Sequence, residues 1–282
     1  MAVRPHIHGY KLLEPIGTGA ESIIYRARET ATGDIVAIKD VLVEDPDKSK
    51  YLRHVASEYQ TLRRLKDRKT GLTPRGIVNV HKLIRSGFMR RKKRSALVMD
   101  YIQGYDLRRE RRYPFGQIVD ILAQVAESLS MLHARSIVHG DLKPENIIVS
   151  PEGKTTLVDF GFSCRAGSIA QSIRGTRDYM SPEQVEMGSI TDKTDIYNFG
   201  ATMYFLLTEQ HVPALMPAAG DNSLFLVSQF ADPKSPRALN PNVPPHLSGM
   251  ILRCVKKETY ERPSCIEEVR EVLEDVRKEY VA

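Results

Sequence analysis

Within eight residues, His139-Gly140-Asp141-Leu142-Lys143-Pro144-Glu145-Asn146, the chain sets a carboxylate, an ammonium two positions on and an amide three beyond that. Such an array can converge on one phosphate-transfer centre. Asp141 can accept a hydroxyl proton, Lys143 can neutralise charge on a moving phosphoryl group, and Asn146 can offer an oxygen to a hard metal. Pro, Asp and Asn are also ordinary turn residues, so the stretch taken alone also suits a polar loop.

A second carboxylate follows in Asp159-Phe160-Gly161. An aspartate just past a strand, followed by an aromatic residue and a glycine, can present its oxygens to Mg²⁺ while the backbone bends sharply. Between the two sites, Ile147 to Val149, a Ser150-Pro151-Glu152-Gly153 turn and Thr155 to Val158 read as a hairpin. The oxygens of Asn146 and Asp159 can therefore return to the same metal site.

The elements that must position these groups are legible on both sides. Upstream, Ile118, Ile121, Leu122, Val125, Leu129 and Leu132 keep helical spacing from Gln117 to Ala134, which delivers the chain to the loop. Nearer the start, Tyr10 to Ile38 reads as strands, with Ile16-Gly17-Thr18-Gly19-Ala20-Glu21-Ser22-Ile23-Ile24-Tyr25 turning between two of them. Glycines let backbone amides approach phosphate oxygens, although a glycine pair also suits a plain hairpin turn. Lys39 ends the apolar strand Val36-Ala37-Ile38 and, if buried, is costly to leave unpaired. Leu52, Val55, Tyr59, Leu62 and Leu65 predict a helix over about Lys48 to Lys66, with Glu58 inside it.

The bulk composition is compatible with this reading and excludes others. With 282 residues and 41% hydrophobic content, the chain can bury a sizeable core rather than remain disordered. A formal charge of +6, with 35 acidic residues interspersed among 41 basic ones, does not by itself make a nucleic-acid binder. Cys164, Cys254 and Cys265 have neither disulfide-framework nor metal-ligand spacing, which fits a reducing compartment. Met1 to Tyr10 lacks the apolar core of a signal peptide, and Phe199 to Leu207 is too short to span a bilayer. The expectation is a soluble, cytoplasmic chain, with an anchor conceivable only in a longer parent protein.

Taken together, these stretches resemble the catalytic domain of eukaryotic-like (Hanks-type) serine/threonine protein kinases, in the family's order from about Tyr10 to Val276. The resemblance implies an α+β, two-lobed protein kinase fold across residues 1–282. A small β-rich lobe with helix C occupies about 10–100, a hinge about 100–106, and a larger, mainly helical lobe about 107–278. It implies ATP with Mg²⁺, or Mn²⁺ in its place, held at the hinge.

By the same resemblance the nucleotide meets Ile16, Gly17, Thr18, Gly19, Ala20, Glu21, Ser22 and Ile24 of the glycine loop, together with Ala37 and Ile148. Lys39 holds the α- and β-phosphates and pairs with Glu58. Met99 is the gatekeeper, the backbones of Asp100 and Ile102 bind the adenine edge, and Asp106 faces ribose or substrate. Asn146 and Asp159 hold the metal, Asp141 orients the acceptor hydroxyl, and Lys143 and Thr176 complete the catalytic set. Glu183 of Ser181-Pro182-Glu183 pairs with a distant arginine, for which Arg262 is the candidate, and Asp195 bonds backbone amides of the catalytic loop.

Three positions depart from the pattern: Ser22 replaces a glycine, Gly140 an arginine and Ser181 an alanine. Retention of every ionisable group favours an active serine/threonine kinase, whereas Ser22 and Gly140 point to the alternative, a nucleotide-binding pseudokinase or scaffold. Arginine at position 140 usually meets a phosphate on the activation segment, so activity here is expected not to depend on that phosphate. The partner expected is a protein substrate, with phosphorylation of the chain itself included. The basic run Met89 to Arg94 and the cluster Arg108, Arg109, Arg111 and Arg112 make an acidic substrate reasonable. The first of these reads better as a solvated hairpin than as a nucleic-acid or membrane contact.

Overall fold

The computed structural model describes residues 6–19, 21–43, 45, 48–67, 69–86, 93–108, 113–215 and 232–281. The chain divides into two compact units, Met1–Gln103 and Gly104–Ala282.

The first unit is an antiparallel five-stranded sheet with a helix on one face. Its strands are β1 (Tyr10–Thr18), β2 (Ile23–Glu29), β3 (Ile35–Val43), then, after helix α1 (Ser49–Leu65), β4 (Val80–Ser86) and β5 (Lys93–Asp100), in the order β1-β2-β3-β5-β4. Alternation along β3 sends Val36 and Ile38 into a core with Tyr10, Leu12, Tyr25, Ala27, Ala96 and Val98. Ala37, Lys39 and Val41 take the opposite face. Helix α1 packs against β3, β4 and β5 and buries Val55, Glu58, Leu62 and Leu65, a stripe at spacings of three and four that places one carboxylate among apolar side chains.

Strand β5 begins earlier than its sequence suggests, because Lys93 and Arg94 belong to the ladder rather than to a basic hairpin. Arg94 Nε lies 3.1 Å from Asp40 Oδ1 and its Nη1 donates to the His6 carbonyl, so its charge is committed within the unit. Residues 87–92 lie outside the described residues.

In the second unit, β6 (Tyr105–Asp106) joins β8 (Ile147–Val149) and β9 (Thr155–Leu157), and α2 (Phe115–His133) precedes β7 (Ile137–Val138). Strands β10 (Cys164–Arg165) and β11 (Ser168–Ile169) lead to α3 (Pro182–Val185), β12 (Ser189–Ile190) and α4 (Asp192–Thr208). Helices α5 (Pro236–Leu239), α6 (Pro245–Cys254) and α7 (Ile266–Val281) complete it. Helix α4 is buried on nearly all sides, from Thr194 through Tyr204, and it packs against α2 and α6. The fold is α+β. Among the described residues no helix is long and apolar enough to cross a membrane.

Candidate active site

In the first unit, β1 and β2 form the expected hairpin around the glycine pair. Gly17 faces Ile24 and Thr18 faces Ile23 in the register, and the Gly19 N–H closes the turn on the Ser22 carbonyl at 2.8 Å. Ile16, Glu21 and Ser22 are half-buried there, while Ala20 lies outside the described residues. Glu21 is held by Lys48 at 2.6 Å. Lys39 Nζ lies 2.8 Å from Glu58 Oε2, with both side chains largely withdrawn from water. The buried stripe of α1 thus carries one anion, and the inward face of β3 carries its counter-ion. Ala37 and Met99 are register partners on β3 and β5, both buried, and Asp100 and Ile102 follow at the end of that strand.

In the second unit, Asp141, Lys143, Thr176 and Asn146 form one hydrogen-bonded cluster. Lys143 Nζ is 2.9 Å from Asp141 Oδ2 and donates to Thr176 Oγ1 at 2.5 Å, and that hydroxyl donates to Asp141 Oδ1 at 3.0 Å. Asn146 Nδ2 donates to the Asp141 carbonyl at 2.7 Å and to Oδ2 at 3.3 Å. With its amide nitrogen so engaged, Asn146 keeps its oxygen for another partner. Burial pushes the Asp141 carboxyl above its ordinary range; the Lys143 charge and hydrogen bond draw it part of the way back, and the charge of Asp159 adds to the rise.

Asp159 reaches the same neighbourhood through the β8–β9 hairpin. Ile147 pairs with Leu157, and the Val158 N–H donates to the Asn146 carbonyl at 3.0 Å, one residue short of Asp159. The backbone then turns through a left-handed Asp159, φ +61°, a conformation that aspartate tolerates better than most side chains do. Carboxylate and amide oxygens are the hard donors that Mg²⁺ prefers, so the donor set fits that ion. Asp106 and Ile148 are partners in the β6–β8 ladder.

The loop is held from beneath by groups with no bearing on phosphate. Asp195, fully buried on α4, accepts from the His139 N–H through Oδ2 and from the Gly140 N–H through Oδ1, both at 2.9 Å, and meets His133 Nε2 at 2.9 Å. His139 Nδ1 accepts from the Asp141 N–H at 3.3 Å, which leaves Nε2–H to donate to the Val158 carbonyl at 3.2 Å. Its ring sits 4.7 Å from that of Phe160. One imidazole therefore ties the catalytic loop to the strand that delivers Asp159.

Gly140 explains itself in backbone terms. Its φ is +77°, and a Cβ there would stand 3.0 Å from the Phe162 carbonyl oxygen. Its own carbonyl accepts from Gln184 Nε2 at 2.7 Å. That nitrogen also donates to the Arg174 carbonyl at 3.2 Å, while Gln184 Oε1 takes the Ser181 N–H and Asn198 Nδ2, each at 3.0 Å. A neutral amide thus ties Arg174 and Ser181, in the later part of the activation segment that begins at Phe162, to the residue preceding Asp141. Nothing in the sequence singled out Gln184, whose partners lie up to 44 residues away.

Glu183, next to it, meets Arg262 through two parallel bonds of 2.8 and 2.9 Å and accepts from Thr194 Oγ1 at 2.8 Å. Arg262 also donates to the carbonyls of Lys193, Lys256 and Lys257, and its guanidinium lies 5.0 Å from the centre of the Tyr197 ring. Burial acts to raise the Glu183 pKa, but the Arg262 bonds and charge outweigh it and hold the carboxyl below its ordinary range. Of the second basic cluster, Arg108 is paired with Glu145, and residues 109–112 lie outside the described residues.

The protein kinase domain family matches residues 10–275 of this sequence, and the chain belongs to that family. It is 28% identical over 280 residues to a probable serine/threonine-protein kinase of Clostridium acetobutylicum, covering 96% of this chain and 40% of that protein. It is 32% identical over 286 residues to the serine/threonine-protein kinase PkaA of Streptomyces coelicolor, covering 93% of this chain and 49% of the relative. With the serine/threonine-protein kinase PrkC of Bacillus subtilis the figures are 26% over 280 residues, 95% and 41%. The chain therefore spans about half the length of these relatives or less.

Proposed function

We propose that this chain is an ATP-dependent serine/threonine protein kinase. The observation that carries the reading is the closed cluster of Asp141, Lys143 and Thr176, with Asn146 bonded to the same aspartate. The names of the relatives support it, as does the lysine two residues after Asp141. When bound, MgATP supplies the γ-phosphoryl group and a divalent charge that screens it.

The residues of the chain do the rest by positioning and charge. Asp141 takes the proton of the substrate hydroxyl as the new oxygen–phosphorus bond forms and the bond to the bridging oxygen breaks, with ADP leaving, and its raised pKa brings it closer to that task than an exposed aspartate. Lys143 offsets the charge that develops on the transferred group. Asn146 and Asp159 present oxygens to Mg²⁺, with Mn²⁺ an acceptable substitute for such donors. In the first unit, Lys39 holds phosphate oxygens while Glu58 fixes its direction. Thr176 bridges Asp141 and Lys143, which keeps both in place until a substrate hydroxyl displaces it.

A nucleotide-binding scaffold would not need this cluster. Gly140, the departure that suggested one, leaves Asp141 fully supported through Asp195 and His139. Substrates are protein serines and threonines, the chain's own hydroxyls among them. An acidic substrate preference gains no support from Arg108, whose charge Glu145 already meets. Incubation of the purified chain with MgATP and a panel of proteins, followed by mass spectrometry of the products, tests the proposal. Phosphoserine and phosphothreonine should appear with the wild type and not with Asp141→Asn; their absence from both would remove the reading.

A further inference from the structure

Beside the catalytic loop the second unit holds a cavity of about 310 Å³ that the reaction described above does not use. Leu107, Ile118, Ile121, Tyr179, Phe205 and Leu206 make its apolar walls. The aromatic part is ordered: the rings of Phe205 and His211 stack at 4.6 Å, and Tyr179 meets them edge-on at 6.3 and 5.4 Å. At the rim stand Arg108, paired with Glu145, and Glu209.

We propose that this cavity takes one bulky apolar side chain, aromatic or branched aliphatic, from the protein substrate and so selects which serines and threonines are modified. The proposal rests on the phosphoryl-transfer reading.

Position argues for a substrate rather than an unrelated partner. The Tyr179 N–H donates to the Thr176 carbonyl at 2.8 Å, and Thr176 is bonded to Asp141. On the other side, the Leu107 N–H donates to the Pro144 carbonyl at 3.2 Å, within the loop itself. A polypeptide that lays a hydroxyl on Asp141 brings its neighbouring residues within reach of this surface.

Charge and size then define the residue. Of the two acids beside the cavity, Glu145 is already paired with Arg108, whose guanidinium a cation entering here would meet, and Glu209 stands at the exposed rim rather than among the apolar walls. Burial raises the pKa of the Tyr179 phenol, so this wall stays uncharged. A dry cavity of about 150 Å³ admits a benzene ring, and the volume here exceeds that, which leaves room for Phe or Leu with its flanking backbone.

The test uses the full chain and peptides with one central threonine, each flanking position replaced in turn by Phe, Leu, Ala, Lys or Glu. Transfer is measured as kcat/KM, and binding is measured in parallel on the same peptides with the threonine changed to alanine. At one fixed offset, Phe or Leu should exceed Ala and Lys by about 10-fold or more in both measurements. Ile118→Trp, which fills the cavity, and Leu206→Glu, which charges it, should each erase that preference while the Ala-flanked peptide is phosphorylated within about twofold of wild type. Absence of an apolar preference in binding, a preference for Lys, or one that survives both variants overturns the proposal. The binding arm does not need catalysis: an apolar offset without transfer would sustain the cavity and sink the kinase reading, and transfer with no offset would do the reverse.

Discussion

Gln184 offers the sharpest test of how the catalytic loop is held, through the substitution Gln184→Glu. The side chain keeps its shape, and Oε1 still accepts the Ser181 N–H and Asn198 Nδ2. What changes is the other atom, which now turns an acceptor toward the carbonyls of Gly140 and Arg174, to which Nε2 donates at 2.7 and 3.2 Å. Two lost bonds at about 1 kcal/mol each, with a buried anion facing two carbonyl oxygens, give a deficit of about 3–4 kcal/mol. Burial raises the folded-state pKa of the new carboxyl above its unfolded value. The protonated form, which restores one donor, therefore prevails at low pH, and the deficit grows as pH rises through the folded pKa. Because Gly140 precedes Asp141, kcat should fall by about 10- to 100-fold at pH 8. Urea midpoints of wild type, Gln184→Glu and Gln184→Ala at pH 5.5 and 8, with kcat at each, check the argument. A Gln184→Glu protein with wild-type stability and rate at pH 8, or with a deficit identical at both pH values, would refute it.

Further outcomes follow from the same geometry. Arg262→Ala leaves the buried Glu183 carboxylate without its counter-ion and should cost about 3–5 kcal/mol, read as a fall of about 10 °C in Tm, with Arg262→Lys failing to restore a two-pronged pair. In the wild type the pair's contribution is complete above the ordinary glutamate pKa of 4.5 and is lost as pH falls through the lower folded value, which a series of melts below pH 5 would show. The acid limb of kcat/KM should lie above the ordinary aspartate pKa of 3.8, because only ionised Asp141 takes the hydroxyl proton; a limb at or below that value contradicts the buried-base assignment. Lys39→Met should reduce transfer by about 100-fold or more with the fold retained by circular dichroism, and Glu58→Gln should lose less. Since the activation segment is tied to Gly140 by a neutral amide, phosphatase treatment or Ser168→Ala with Ser172→Ala should leave kcat within about twofold; loss of activity in both refutes that view.

The parts of the site that were legible in the sequence are those whose chemistry is local. Asp141, Lys143 and Asn146 fall within six residues, and Asp159 follows after one hairpin, so spacing alone brings their polar atoms together. The partnership of Lys39 and Glu58 was accessible only through the family pattern: Lys39 does not end its strand as expected, since β3 runs on to Val43, and Glu58 lies beside the apolar positions of α1 rather than among them in sequence. Arg262 was accessible as the counter-ion of Glu183 only through the family pattern, since 79 residues separate them. What stayed hidden depends on backbone shape and distant pairing. Gln184 works through carbonyls that any residue would supply, and the left-handed turn at Gly140 leaves no mark on composition. Arg94 and Arg108, one in each basic run, are paired with Asp40 and Glu145, acids too distant in sequence for a local window to join to them. The apolar cavity draws its walls from Leu107 just after β6, from α2 and α4, and from Tyr179, and no single window shows it.

The central claim is that Asp141 and its bonded neighbours carry a phosphoryl transfer to protein hydroxyls. The most direct measurement is transfer of the labelled γ-phosphoryl group of ATP, in the presence of Mg²⁺, to a generic protein acceptor by wild type and by Asp141→Asn, with both proteins shown to melt cooperatively. The account predicts label on serine and threonine that falls by about 100-fold or more in the variant. Equal transfer by the two proteins, or none by a folded wild type across a substrate panel, would contradict it.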